Sequence, residues 1–149
     1  MVRGRVMIRI LIADDHAIVR EGLKQVVSRT SDLTLADEAS TGEEAFQKAL
    51  SNDYDVVVLD ISFPDRNGLD VLKDIKTQKP DLPVLILSIH PEEEVAVRAL
   101  KTGASGYLTK ETASDELVAA IRKVSSGGEY VTISLAERIA SMLRSGSPG

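Results

Sequence analysis

The sequence contains no cysteine. That absence excludes a disulfide framework, a thiolate metal site and a cysteine nucleophile. Only two histidines are present, His16 and His90, which argues against zinc or copper, metals that draw on imidazole and thiolate donors. No apolar run approaches the ~18–20 residues needed to cross a bilayer. The basic opening M-V-R-G-R leads only into a short apolar run that stops at Asp14 and Asp15. A secretory signal is therefore not expected, and a cytoplasmic location fits better. An excess of positive charge is missing too. Eighteen Lys and Arg against 23 Asp and Glu give a formal charge of −5, which argues against nucleic-acid binding by this chain alone. There is no internal repeat, no extended low-complexity segment and no glycine-rich loop after the first apolar run, which speaks against a nucleotide-binding module.

What is present is an ordinary globular composition, 43% hydrophobic and 28% charged, in 149 residues. A chain of that length buries about 70% of its extended surface as one domain, so it needs no metal or disulfide to fold. Short apolar runs alternate with longer helical ones. Residues 7–13, 33–39, 54–59, 82–87 and 106–109 read as strands, and 54–59, with four consecutive aliphatics, reads as a central one. Residues 17–27 carry Val19, Leu23, Val26 and Val27 on one helical face. Thr41-Gly42-Glu43-Glu44 matches a capping box opening a helix to residue 50. Helices are also expected over 67–77, over 91–102 with Pro91 in its first turn and Gly103 as its C′ residue, and over 114–124.

Repeated βα units joined by short connections imply a parallel sheet covered on both faces. The expected fold is α/β: a flavodoxin-like, doubly wound, five-stranded parallel sheet in the order 2-1-3-4-5 with five helices. A half-Rossmann nucleotide domain is the competing architecture. Residues 1–6 read as an N-terminal extension, 7–127 as the domain, and 128–149 as a C-terminal linker helix and flexible tail. That last helix has Leu135, Ile139, Met142 and Leu143 at helical spacing, and is expected to cover the domain or a partner chain.

In such sheets ligands bind beyond the carboxyl ends of the strands, where the strand order reverses. The first expected strand ends at Asp14 and Asp15, the third at Asp60, the fourth at Ser88 and the fifth at Lys110. Two like charges at 4 Å repel by roughly 4 kcal/mol at an effective dielectric of 20, so three convergent carboxylates call for a cation. Mg²⁺ suits hard oxygen donors. A metal, a carboxylate, a lysine and a hydroxyl together equip a site for phosphoryl transfer to Asp60. For the acidic pair taken alone, a helix N-terminal role is the plain alternative. Ser88 taken alone is a strand-end hydroxyl, and Tyr107 a half-buried core aromatic. His16 reads as a helix-start residue near the site.

The succession D-D, V-V-V-L-D followed by F-P and G, L-S and G-Y-L-T-K resembles the receiver domain of two-component response regulators. D-D-H, I-S-F-P-D-R-N-G-L-D and G-A-S-G-Y-L-T-K resemble in particular the NarL/FixJ-type transcription regulators, over residues 7 to about 125. The resemblance implies Asp60 as phospho-acceptor, with Asp15, Asp60 and the Ser62 carbonyl ligating Mg²⁺ and Asp14 helping mainly through water. It implies Lys110 as the phosphoryl-binding lysine, Ser88 and Tyr107 as switch residues, and Ser62 and His90 as positions that tune dephosphorylation. Phosphorylation would draw Ser88 toward the phosphate and Tyr107 inward, repacking the fourth helix, fifth strand and fifth helix.

The implied partners are a sensor histidine kinase and a second copy of the chain, joined through the first and fifth helices on phosphorylation. DNA would be reached only through a helix-turn-helix output domain that this sequence does not contain; no membrane partner is implied. The chain is expected to be a receiver from a longer regulator, with a stand-alone receiver as the alternative. It is not expected to be an enzyme beyond assisting its own phosphorylation and dephosphorylation. A Mg²⁺-dependent aspartyl-nucleophile phosphatase is the enzymatic alternative, but Asp60-Ile61-Ser62 lacks that class's D-x-D. Two positions depart from the usual receiver pattern. Glu111 follows Lys110 where many receivers have a cis-proline, so a trans bond is expected, and Phe63 stands where Met is common.

Overall fold

The computed structural model describes residues 7–89 and 92–145. Strands and helices alternate along the chain: β1 Ile8–Ala13, α1 Ala17–Ser28, β2 Leu33–Ala39, α2 Gly42–Ser51, β3 Val56–Asp60, α3 Gly68–Gln78, β4 Val84–Ser88, α4 Glu93–Thr102, β5 Gly106–Thr109, α5 Ala113–Ser125, β6 Tyr130–Val131 and α6 Ile133–Arg144. The sheet runs β2-β1-β3-β4-β5-β6, with every pairing parallel. The flavodoxin-like order 2-1-3-4-5 is therefore present, extended by a short sixth strand.

Period-two alternation divides the core between the two faces. Leu11, Ala13, Val57, Leu59, Val84, Ile86 and Tyr107 point to one face, beneath α2, α3, α4 and Leu135 of α6. Ile10, Ile12, Val56, Val58, Leu85, Leu87 and Leu108 point to the other, beneath α1 and α5. Both sides of β3, of β4 and of β1 from Ile10 onward are thus dry, which explains their near-continuous aliphatic runs. Each such side chain contributes about 1.5–3 kcal/mol through burial.

Local chemistry sets where the helices start and stop. The Thr41 hydroxyl accepts from Glu44 N–H at 3.0 Å, as the capping box requires. Glu44 reaches back one residue further than the motif predicts, accepting from Ser40 N–H at 2.8 Å. Gly103 closes α4 with φ of 118°, a left-handed conformation that favours glycine. The expected start of this helix at Pro91 lies outside the described residues, as do the expected extension 1–6 and the end of the tail. Against the core α4 presents the small residues Ala96 and Ala99.

The structure corrects one expectation in the last segment and refines another. A sixth strand forms there: Tyr130 N–H donates to Ser105 C=O at 3.0 Å, and Gly106 pairs with Tyr130. Gly106 permits this because a Cβ there would lie 2.3 Å from the Tyr130 carbonyl oxygen. In α6, Leu135 is fully buried while Leu143 is 61% exposed. Eight residues on, Leu143 is rotated about 80° from Leu135 around the helix, which carries it off the docked face.

Candidate functional site

β1 and β3 are neighbours at the point where the strand order reverses, so the residues at their carboxyl ends share one edge. Asp14 directly follows β1 and its N–H is fixed by the Ala39 carbonyl at 3.0 Å. Asp60 is the last residue of β3 and Ser88 the last of β4, and Lys110 follows β5. Asp14, Ser88 and Asp60 are all buried.

Lys110 is the electrostatic centre of the cluster. Its Nζ lies 2.8 Å from Asp14 Oδ2 and 3.2 Å from Asp60 Oδ2, and its side chain is only 10% exposed. These are ion-pair contacts without hydrogen-bond alignment: Asp14 Oδ2, Asp60 Oδ2 and Asp15 Oδ1 are buried oxygens that accept no hydrogen bond among the described residues. One ammonium thus serves two buried carboxylates, with Asp15 beside them. Burial, and next the negative charge of Asp14, push the Asp60 carboxyl up to about 6. Lys110 and the Ser62 N–H, which donates to Asp60 Oδ1 at 3.3 Å, offset only part of that rise.

His16 starts α1, as expected for a helix-start residue, and is half exposed. Its Nδ1 stands 3.1 Å from Asp14 Oδ1 and 3.2 Å from Asp15 Oδ1. Ligand atoms of Asp14, Asp15, His16 and Asp60 all lie within 4.8 Å of one another. A compact set of carboxylate oxygens, three of them buried without hydrogen bonds, fits a hard divalent cation such as Mg²⁺. Ser62 is exposed at the start of the β3–α3 loop and bridges to Asn67. His90 lies outside the described residues.

Tyr107 is fully buried, not half-buried. Its hydroxyl has no aligned hydrogen bond among the described residues. Burial raises its pKa, and a contact with the Ser88 hydroxyl tempers the rise. The side chain therefore backs onto Ser88 from within the core. All described peptide bonds are trans, including the one after Lys110.

The structure adds Arg20, which the sequence reading did not single out. Its Nη1 donates to the Asp14 carbonyl at 2.6 Å, while Nε bonds Glu38 at 3.1 Å. The available signal was its place four residues after His16, one helical turn above the site. A cleft between the β3–α3 loop and α4, at the same edge of the sheet, is lined by Ser62, Asn67, Ser88, Ile89 and Arg98. A cleft of about 520 Å³ at the opposite edge, beside Tyr54, Lys79 and Val124, lies at the amino ends of the strands, away from this cluster.

A parallel sheet of this order with a buried acidic cluster and lysine at its switch point is the arrangement of a receiver domain. Residues 10–122 match the response regulator receiver domain family, and the chain belongs to it. It is 39% identical over 124 residues to the transcriptional regulatory protein DegU of Brevibacillus brevis, covering 83% of this chain and 52% of that protein. To the nitrate/nitrite response regulator protein NarL of Escherichia coli K12 it is 36% identical over 135 residues, covering 91% of this chain and 62% of that protein. The chain thus spans 52–62% of the length of these curated relatives. A LuxR-family two-component response regulator from Aurantimonas superposes with a TM-score of 0.88 at 31% identity, over 93% of this chain and 99% of that one. The receiver domain of a putative NarL from Mycobacterium tuberculosis superposes with a TM-score of 0.76 at 29% identity, over 82% of this chain and 98% of that one. Asp14, Asp15 and Asp60 form the acidic cluster typical of the Mg²⁺ site in receivers. Among the described residues no helix is long and apolar enough to cross a membrane.

Proposed function

We propose that this receiver acts in the cytoplasm, that Asp60 accepts a phosphoryl group from a phosphohistidine of a sensor histidine kinase, and that the resulting acyl phosphate switches the domain. The observation that carries the reading is Lys110, held within 3.2 Å of both Asp14 and Asp60 at the carboxyl edge of the sheet. An ammonium there is placed to offset the charge of an incoming phosphoryl group.

In the transfer, a carboxylate oxygen of Asp60 attacks phosphorus and the P–N bond to the donor imidazole breaks. The donor imidazole, protonated on its other ring nitrogen, leaves with the bonding electron pair and so departs as a neutral ring. Asp15, Asp60 and the Ser62 carbonyl would hold Mg²⁺, with Asp14 acting mainly through water. When bound, the ion neutralises charge on the carboxylates and on the phosphoryl oxygens. Lys110 exchanges its carboxylate partners for a phosphoryl oxygen, and Ser88 donates its hydroxyl to another. Ser62 and His90, two residues beyond Asp60 and Ser88 in the sequence, tune hydrolysis of the acyl phosphate.

The switch runs through Tyr107. Its ring shares a core with Ala96, Ala99 and Leu135, and its carbonyl accepts from Thr132 N–H at 3.4 Å. Movement of Ser88 toward the phosphate therefore alters the support of α4, β5, α5 and α6. In this reading phosphorylation promotes a homodimer through α1 and α5, and transcription is controlled through a DNA-binding output domain of the whole regulator. Residues 7–127 form the receiver, and 128–149 link it to that output.

The test is incubation with acetyl phosphate, with and without Mg²⁺, followed by intact mass measurement and assay of released inorganic phosphate. A single adduct that needs Mg²⁺ and is absent from Asp60→Asn supports the receiver reading. Sustained turnover of organic phosphates would replace it with the phosphatase reading.

A further inference from the structure

The loop that carries Ser62 is not held by β3 and α3 alone. At its base Gly68 N–H donates to Ile61 C=O at 2.8 Å. A Cβ on Gly68 would lie 2.3 Å from that carbonyl oxygen, so backbone packs directly on backbone. Ser62 and Asn67 then close the loop through an antiparallel bridge. Its tip crosses to a different helix. The Asp65 carboxylate accepts from Gly42 N–H at 2.9 Å through Oδ1 and from Glu43 N–H at 3.0 Å through Oδ2.

These are N–H groups of the first turn of α2, which have no partner within their own helix. They occupy both Asp65 oxygens, so the carboxylate has a defined orientation. Arg66, the next residue, pairs with Glu43 at 3.2 Å and with Asp74 of α3, and its guanidinium lies 5.7 Å from the centre of the Phe46 ring. Gly42 leaves room for the contact, since a Cβ there would already stand 3.1 Å from Arg66 Cβ. The loop is thereby tied to α2 and α3 at adjacent residues.

We infer that Asp65 is a positioning residue of the phosphorylation site: by bonding the β3–α3 loop to the start of α2, it fixes the Ser62 backbone for the divalent cation. Asp65 does not touch the cation or the phosphoryl group; it acts through the loop. The inference rests on the proposed Mg²⁺ site, and its effect belongs to metal affinity rather than to the chemical step. Loss of a group that orients a ligand from behind weakens metal binding by roughly tenfold or more.

The experiment is calorimetric titration of the full chain with Mg²⁺, for the wild type and for Asp65→Ala, Asp65→Asn and Arg122→Ala. Arg122→Ala removes a comparable surface ion pair, to Asp32 at 2.8 Å, at the far end of the sheet. Asp65→Ala should weaken Mg²⁺ binding by roughly tenfold, with Asp65→Asn intermediate because its amide oxygen still accepts one hydrogen bond. Arg122→Ala should match the wild type. At saturating Mg²⁺ the rate of labelling of Asp65→Ala by acetyl phosphate should return to the wild-type value. Wild-type Mg²⁺ affinity in Asp65→Ala, or an equal loss in Arg122→Ala, would overturn the positioning role while leaving the phosphorylation reading intact. Failure of the wild type itself to bind Mg²⁺ would overturn both.

Discussion

Replacing Asp60 with asparagine should stabilise the metal-free protein at neutral pH. The amide imitates the neutral carboxyl in shape and keeps an acceptor for the Ser62 N–H, but carries no charge toward Asp14. The Asp60 carboxyl rises from 3.8 to about 6 in the folded protein. At about 1.36 kcal/mol per pH unit, ionising it in the fold costs about 3 kcal/mol more than in the unfolded chain. Because the folded pKa is the higher one, the stability linked to this proton is complete below 3.8 and is lost as pH rises through about 6. Asp60→Asn should therefore gain about 3 kcal/mol over the wild type at pH 7.5, or roughly 10 °C in Tm for a chain of this size. At pH 4.5 the gain should shrink to about 1 kcal/mol. The assay is urea unfolding followed by circular dichroism in EDTA at both pH values. Saturating Mg²⁺ should narrow the gap at pH 7.5 by stabilising the wild type. A variant less stable than the wild type in EDTA, or a gap that does not change with pH, would refute the electrostatic reasoning.

The other expectations concern the groups around Asp60. Lys110→Ala leaves Asp14 and Asp60 buried without their counter-charge and should cost about 3 kcal/mol in EDTA at pH 7.5; unchanged urea unfolding would count against that pairing. Tyr107→Phe should alter stability by less than about 1 kcal/mol, because the hydroxyl makes no aligned hydrogen bond, and a thermal melt would expose a larger loss. Leu135→Ala should cost about 2–5 kcal/mol in a single cooperative transition, since Leu135 is fully buried in the core that contains Tyr107. A separate early transition for α6 would show that it docks independently.

Much of this site was legible before any coordinates because the rule for open α/β sheets concerns strand ends, and strand ends are visible as places where an apolar run stops. Asp14, Asp15, Asp60, Ser88 and Lys110 each terminate such a run, and the fold gathers them at one edge. What stayed hidden depended on pairings that carry no local signal. Asp65 caps a helix that begins 23 residues earlier in the chain, and nothing near Asp65 in sequence announces it. β6 has two residues, too few for an alternating pattern. That Lys110 bridges Asp14 and Asp60 follows from side-chain reach across β1, β3 and β5, which spacing alone does not encode. The burial of Leu135 and exposure of Leu143 were likewise fixed by which face of α6 meets α4, a choice the helical period leaves open.

The most direct test of the account is to locate the phosphoryl group. After incubation with acetyl phosphate and Mg²⁺, borohydride reduction converts an aspartyl phosphate to homoserine, which peptide mass mapping can place. Homoserine at position 60 alone, and none when Mg²⁺ is replaced by EDTA, is the predicted result. Label at another residue, or labelling of Asp60 that persists unchanged without a divalent cation, would contradict the claim that the acidic pair and Asp60 form a metal-dependent phospho-acceptor site.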